Sequence, residues 1–256
     1  MALAFADAGM HVVIADIDRR AAHAVAEEVA ACGVDGLAFT LDVAERSSLE
    51  GLAERAYGEF GAVHLLCNNA GVTTFGFMCN DLSDEDWRWV IEVNLFGVIN
   101  GLQAFLPRMR AQEGEKHVVN TASIAGVNPV PMVAPYVASK YAVVGISESL
   151  RMEGAGARIS CSVLCPGNVD TQIAHAERNR PQHYGEARPG NAFVEQVVAE
   201  GMDPLRVGRI VRRAVIDDEM FIFTHPETRL AVEQRGQGLL AGYDRAEEWL
   251  REEEAG

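Results

Sequence analysis

Paired cysteines are missing from this sequence. Its five cysteines, Cys32, Cys67, Cys79, Cys161 and Cys165, are scattered, odd in number and form no CxxC. That excludes a disulfide framework and fits small buried hydrophobes in a reducing cytoplasm. Positive charge is scarce: 22 Lys and Arg stand against 37 Asp and Glu, giving a net charge of -15 and a pI near 4.9. Such a chain repels polyanions, which argues against a nucleic-acid partner. No unbroken run of about eighteen apolar residues occurs, so no membrane span is expected. The first sixteen residues lack a basic start and are interrupted by Asp7, so they do not read as a signal peptide. The seven histidines show no ligand spacing, and no metal site is expected. Repeats and low-complexity linkers are absent as well.

What remains is a chain of 256 residues, 48% hydrophobic, enough for one domain with a large core. Short apolar runs alternate with helical patterns. Strands are expected at 11–15, 37–41, 63–67, 117–121, 159–164 and 220–224. Helices are expected at 19–31, 49–60, 84–110, 136–153 and 204–216. Strands that are apolar on both faces and alternate with helices mark an α/β fold, a doubly wound parallel sheet covered by helices on both faces. The polar stretch 170–202 reads as a mobile flap over the site. Residues 226–256 read as a charged helical tail, in which 244–254 is a solvated helix with Trp249 its only large apolar anchor.

In an open parallel sheet, ligands bind beyond the carboxyl ends of the strands. Polar and small residues gather at those ends: Asp16, Asp42, Asn69-Ala70-Gly71, Ser123 and Pro166-Gly167. Tyr136 and Lys140 are four apart, so they share one helix face. A phenol with a pKa near ~10 is a poor base, and a fixed ammonium beside it favours the phenolate. Ser123, just after a strand, can hold a substrate oxygen near that phenol. Asp16 suits the adenosine ribose hydroxyls of NAD and repels the 2′-phosphate of NADP, with Arg19 and Arg20 softening the preference. The competing role for Asp16 is an N-cap of the next helix. Asn94 falls in mid-helix, where Asn is a poor helix former, so something must compensate for it.

Jointly these motifs resemble the short-chain dehydrogenase/reductase family, from Met1 to about Thr224. The matching residues are Asn68-Asn69-Ala70-Gly71, Asn94, Ser123, Tyr136-x-x-x-Lys140 and Pro166-Gly167 with Val169 and Thr171. The resemblance implies a Rossmann-like, NAD-dependent oxidoreductase that interconverts a secondary alcohol and a ketone. It implies Tyr136 as acid/base and Lys140 lowering its pKa and binding the nicotinamide ribose. Ser123 orients the substrate, and Asn94 holds a water that passes the proton onward. Asp42 and Val43 flank the adenine, Asn69, Ala70 and Gly71 pack on the adenosine half, and Pro166, Gly167, Val169 and Thr171 lie at the carboxamide end. A moderately apolar substrate is expected between Thr73, Thr74, Phe75, Val130 and Met132 on one side and Ile173, His175, Tyr184 and Phe193 on the other. Homodimers or homotetramers are expected through helices 84–112 and 134–154. Trp87, Val90, Phe105, Val144 and Leu150 there serve either an interface or the core.

One departure stands out. The family begins with a central strand and a glycine-rich turn, and no GxxxGxG precedes Asp16. A buried strand of that kind is worth about 10 kcal/mol, at roughly 1.5–3 kcal/mol per apolar residue. A whole domain has a margin of only about 5–15 kcal/mol. The expectation is therefore a weakly folded chain that grips the pyrophosphate poorly, unless residues upstream of Met1 fill the place. The alternative is a catalytically silent relative acting as an oligomer partner or binding module.

Overall fold

The computed structural model describes residues 1–154 and 158–255. They form two compact units, Met1–Thr224 and the chain from His225 onward.

The first unit alternates helices and strands. In order these are α1 (Ala2–Ala6), β1 (Val12–Asp16), α2 (Arg19–Ala31), β2 (Gly36–Thr40), α3 (Arg46–Phe60) and β3 (Leu65–Asn68). Then come α4 (Asp84–Ile91), a π-turn (Glu92–Phe96), α5 (Gly97–Ala111), β4 (Lys116–Thr121), α6 (Ala134–Gly154) and β5 (Ile159–Cys165). The unit closes with α7 (Ala192–Ala199), α8 (Pro204–Ile216) and β6 (Phe221–Phe223). The strands lie in two parallel sheets, β1-β2 and β3-β4-β5-β6. This is the α/β, Rossmann-like architecture expected. Among the described residues no strand joins β1 to β3, which is where the central strand was expected to be missing.

Alternation along each strand builds two cores, because successive side chains point to opposite faces. Val118 of β4 and Val163 of β5 join one core with Leu49, Phe105, Met109, Val143 and Leu150. Their neighbours Val119 and Leu164 join the other, with Phe5, Val207 and Val211. The helix starts follow local chemistry. Asp18 caps α2, its carboxylate accepting the Arg20 and Ala21 N–H groups at 2.9 and 3.1 Å. Ser83 and Asp86 form a reciprocal capping box on α4. Gly208 lets α1 lie on α8: a Cβ there would come within 3.1 Å of Ala4 Cβ and of the Met1 nitrogen. Burial lowers the pKa of that terminal amine, and Cys67 opposes the shift.

Several expectations are revised. Helix α3 begins at Arg46 rather than Leu49. The long helix at 84–110 carries a π-turn around Asn94. The stretch Asp84–Ala111 is long and apolar enough, by length and composition, to cross a membrane, but half of that window is buried inside the fold. Most of its charges sit near its ends and Glu92 interrupts it, so it reads as apolar without being one unbroken run. Val90, Phe105, Val144 and Leu150 are core residues, whereas Trp87 is half-buried.

The second unit holds a short turn and α9 (Arg229–Ala255), a helix of 27 residues with no buried side chain. Trp249 is not its only large apolar group, nor an anchor: Leu239, Leu240, Tyr243 and Leu250 are exposed alongside it.

Candidate active site

Tyr136 and Lys140 lie one turn apart on α6, facing the carboxyl end of β4. Lys140 is buried, and its Nζ donates to the Thr121 carbonyl at 2.8 Å. The same nitrogen is 5.4 Å from the Tyr136 ring centre. Burial pushes the Lys140 pKa down to about 8, so the group remains mostly cationic at neutral pH. Burial raises the Tyr136 pKa, and a hydrogen bond with Ser123 opposes the rise. The lowering expected from the ammonium therefore does not outweigh desolvation here. Ser123, buried where β4 ends, also accepts the Ala125 N–H at 3.1 Å.

Asn94 is completely buried, and the π-turn explains itself through it. Its Oδ1 accepts the Val72 N–H at 2.8 Å, and its Nδ2 donates to the Val72 carbonyl at 2.9 Å. Nδ2 also reaches Ser139 Oγ at 3.2 Å, and Ser139 donates to the Tyr136 carbonyl at 2.7 Å. One amide thus joins the loop after β3, the long helix and the first turn of α6. That is the compensation a mid-helix Asn requires, and π-turns of this kind recur at functional sites. Ser139 was not singled out from sequence, although its spacing of three from Tyr136 places it on the same face.

The residues expected beside a dinucleotide fall into two groups. Gly71 faces the catalytic cluster: a Cβ there would lie 3.4 Å from Lys140 Nζ and 3.5 Å from Asn94 Oδ1. Asn69 Oδ1 accepts the Thr121 hydroxyl at 3.1 Å, leaving Ala70 exposed next to it. Pro166 accepts the Ile124 N–H at 2.9 Å, and half-buried Gly167 follows it. Val169 packs into the core of α8 and bridges Met202. Thr171 Oγ1 accepts the Ile173 N–H at 3.4 Å. Asp16 and Asp42 stand instead on the separate two-stranded sheet. Asp16 is exposed at the end of β1, and its Oδ1 takes the Asp18 N–H at 2.8 Å. Since Asp18 is the cap of α2, Asp16 is not needed for that role. Asp42 Oδ1 accepts the Ala44 N–H at 2.9 Å, and the Val43 carbonyl accepts Asn100 Nδ2 at 3.0 Å.

The flap is more tightly built than its composition suggests. Asp86 is fully buried and receives two arginines from it: Arg180 Nη1 at 2.7 Å, and Arg188 through Nε at 3.1 Å and through Nη2. These bonds hold the Asp86 carboxyl well below the usual carboxylate range. Arg180 lies 5.1 Å from the Trp89 ring centre and Arg188 lies 5.0 Å from that of Phe77. Tyr184 does not line a substrate pocket with its hydroxyl, which donates to Glu92. Its ring packs with Trp89, Val90 and Ala176. His175 is half exposed, 3.8 Å from Glu195, and Phe193 is 73% exposed. Thr73 and Thr74 are buried, and Thr74 Oγ1 finds no protein partner among the described residues. The Ser83-x-x-Asp86 spacing was the one signal in the sequence for this clamp. Its arginines, about a hundred residues away, gave none. Cys165 reads from sequence only as one of the small buried hydrophobes. It is buried at the end of β5 beside Tyr136 and Lys140, and burial pushes its thiol up to about 12.

A profile described as short chain dehydrogenase matches residues 1–182. A dehydrogenase/reductase of CLA biosynthesis from Lactiplantibacillus plantarum is 32% identical over 242 residues, 90% of this chain and 84% of that protein. A cyclohexanol dehydrogenase from Acinetobacter sp. (strain SE19) is 36% identical over 172 residues, covering 67% of this chain and 68% of the relative. Among solved structures, a short chain dehydrogenase/reductase from Burkholderia phymatum in complex with NAD superposes with a TM-score of 0.88 at 36% identity, over 93% of this chain and 90% of that one.

Proposed function

The chain belongs to the short-chain dehydrogenase family and is an NAD(P)-dependent oxidoreductase; on that premise we propose that it interconverts a secondary alcohol and a ketone on a moderately apolar small molecule, with NAD as its cofactor. The observation that carries this reading is the cluster of half-buried Tyr136 with buried Lys140, Ser123 and Asn94 at the carboxyl ends of β3, β4 and β5.

The residues present fit the nicotinamide and ribose portion of the cofactor, because Gly71 leaves room beside Lys140 and Asn94 that a Cβ would occupy. Lys140 would hold the nicotinamide ribose, and Val169 and Thr171 with Pro166-Gly167 would border the carboxamide. Asp16, free of capping duty, would take the adenosine ribose hydroxyls, which favours NAD over NADP. When bound, NAD supplies the acceptor for the substrate's hydride.

This chain's own residues manage the proton. Ser123 orients the substrate oxygen toward the Tyr136 hydroxyl. Tyr136 Oη, as the phenolate, removes the alcohol proton, and in the reverse direction the phenol returns it. Lys140, a cation at neutral pH, favours the phenolate against the desolvation that raises the Tyr136 pKa. Asn94, fixed by Val72 and Ser139, lies where a proton leaves toward solvent. The exposed side chains of Val130 and Met132 and the half-buried Phe75 supply apolar surface for the substrate. Cyclohexanol, named for one relative, is the reference substrate class. The protein is placed in the cytoplasm, where its unpaired thiols stay reduced, and as a homodimer or homotetramer through the helices around 84–112 and 134–154.

One observation favours a second reading, a catalytically silent partner subunit: among the described residues, β1 and β3 each keep an unpaired edge where the dinucleotide would cross. The same experiment separates the two. NADH formation from cyclic secondary alcohols is followed with NAD and then with NADP. Turnover with NAD that falls by roughly 10²–10⁴ in Tyr136→Phe, with NADH binding by fluorescence unchanged, supports the enzyme. NADH binding without turnover of any alcohol in the wild-type chain supports the silent subunit, and retained turnover in Tyr136→Phe removes Tyr136 as the acid/base.

A further inference from the structure

Helix α9 carries a long apolar stripe that no residue of its own unit covers. Along it, Val232, Gly236, Leu239, Tyr243, Ala246 and Leu250 recur at alternating steps of four and three. That is the seam period of a helix paired with another helix. Leu239, Tyr243 and Leu250 are 55%, 73% and 60% exposed. The helix also contains Gly236, Gly238 and Gly242, each of which weakens an isolated helix by roughly 0.5–1 kcal/mol. With no buried side chain, nothing in the unit repays that cost, so a cover for the stripe is required.

We propose that α9 is a self-association element that pairs antiparallel with α9 of a second copy of this chain. Three features select that occupant and that direction. First, the seam remains self-complementary when reversed. Val232 then lies opposite the second copy's Leu250, Gly236 opposite its Ala246, and Leu239 opposite its Tyr243. Small residues meet small ones and large ones flank them, so the backbones approach closely at the glycines.

Second, charge opposes the parallel arrangement. The C-terminal turns carry Glu252, Glu253 and Glu254, whereas the first turn carries Arg229, whose side chain is 83% exposed although its Nε also bonds Glu233 of its own helix. Parallel helices bring two triplets of glutamate together. Antiparallel helices set each triplet beside the other copy's Arg229. Third, glutamates at a helix C-terminus oppose that helix's own dipole. The positive N-terminal end of an antiparallel neighbour offsets this. The same glutamates disfavour an anionic lipid surface as the cover. At 1.5 Å per residue the seam from Val232 to Leu250 runs for about 27 Å, with Leu240 and Trp249 flanking it.

The test is cross-linking of the full chain with a short bis-maleimide. Cys32 and Cys79, the exposed thiols, are first changed to serine, and that parent without a tail cysteine is the control. The antiparallel seam predicts covalent dimers from Leu239→Cys, near its centre. It predicts none from Leu250→Cys alone, since those ends lie far apart, but dimers from a mixture of Val232→Cys with Leu250→Cys. Introducing Tyr243→Glu into Leu239→Cys should reduce the dimer yield by at least tenfold. Efficient self-cross-linking of Leu250→Cys overturns the antiparallel direction. Failure of both Leu239→Cys and the mixture overturns self-association, and shows that the stripe is covered by this chain's own body or by another partner.

Discussion

The two sheets of the first unit are made from similar residues and are buried to different degrees. In β4, all residues from Lys116 to Asn120 are buried, and in β5 all but Ser160 are. In β1, the run Val12–Ala15 is as apolar and as rich in β-branched residues, yet every member is only half-buried. β-Propensity is therefore not what separates them. A central strand is shielded by neighbours on both edges, whereas β1 has β2 on one side only and β3 has β4 on one side only. The tightly packed half carries Ser123, Tyr136 and Lys140, the residues proposed for the proton chemistry. The half-open one carries Asp16 and Asp42, the residues proposed for the adenosine end. The proposed proton site therefore lies in the more deeply buried half, and the proposed adenosine end lies in the half-buried one.

The largest test of that contrast is at the clamp that closes the catalytic half. Asp86→Ala leaves Arg180 facing a cavity without its carboxylate, and breaking one side of a buried pair costs about 3–5 kcal/mol. The expected outcome is faster amide exchange through 176–188 and a rise in KM for substrate. The limiting turnover changes little, because Tyr136 and Lys140 are untouched. Asp86→Asn should recover part of the protection by keeping the capping-box acceptor. If exchange in the flap is unaltered by Asp86→Ala, the clamp does not hold the flap.

A paired truncation measures the contrast directly. Leu164→Ala removes a side chain that is 2% exposed, so it should cost about 2–5 kcal/mol in denaturant unfolding. Ile14→Ala, in half-buried β1, should cost about 1 kcal/mol, since less apolar surface returns to water. Equal losses would mean that β1 is as well packed as β5 and that its open edge has no energetic meaning.

These contrasts also mark what the sequence could and could not disclose. Strand and helix positions followed from the alternation of apolar runs, because β4 and β5 send successive residues such as Val118 and Val119 into different cores. The cluster of Ser123, Tyr136, Lys140 and Asn94 was legible because each member marks a strand end or a helix turn. The burial of β1 was not legible, because it depends on which strand lies beside it. The clamp was not legible either, because Asp86 meets Arg180 and Arg188 only after the flap has folded back over α4. The role of Ser139 is intermediate: its face is set by spacing, but its bond to Asn94 exists only once the π-turn has brought that amide inward.

A further effect should appear in acid, and it should invert the contrast. His117 starts β4 and is buried, with Nε2 2.7 Å from Ser162 Oγ. Ser162 donates its own proton to the Glu219 carbonyl at 2.5 Å, so the imidazole is the donor to Ser162. On the other side, Nδ1 lies 3.9 Å from an Asp218 carboxylate that Arg151 already holds at 2.6 Å. Burial pushes the His117 pKa down to about 4; Asp218 opposes the shift and Arg151 adds to it. The folded value lies below the unfolded one of about 6.5, so folding favours the neutral ring. Its contribution is complete above about pH 6.5 and is lost as pH falls toward 4, by at most about 3 kcal/mol. Across that window the slope of unfolding free energy against pH should be shallower in His117→Gln than in the wild type. Amide exchange should accelerate in β4, β5 and β6 before β1 and β2 respond. An identical slope in His117→Gln would assign the acid sensitivity to carboxylates instead and leave the four-stranded half as the steadier one at every pH.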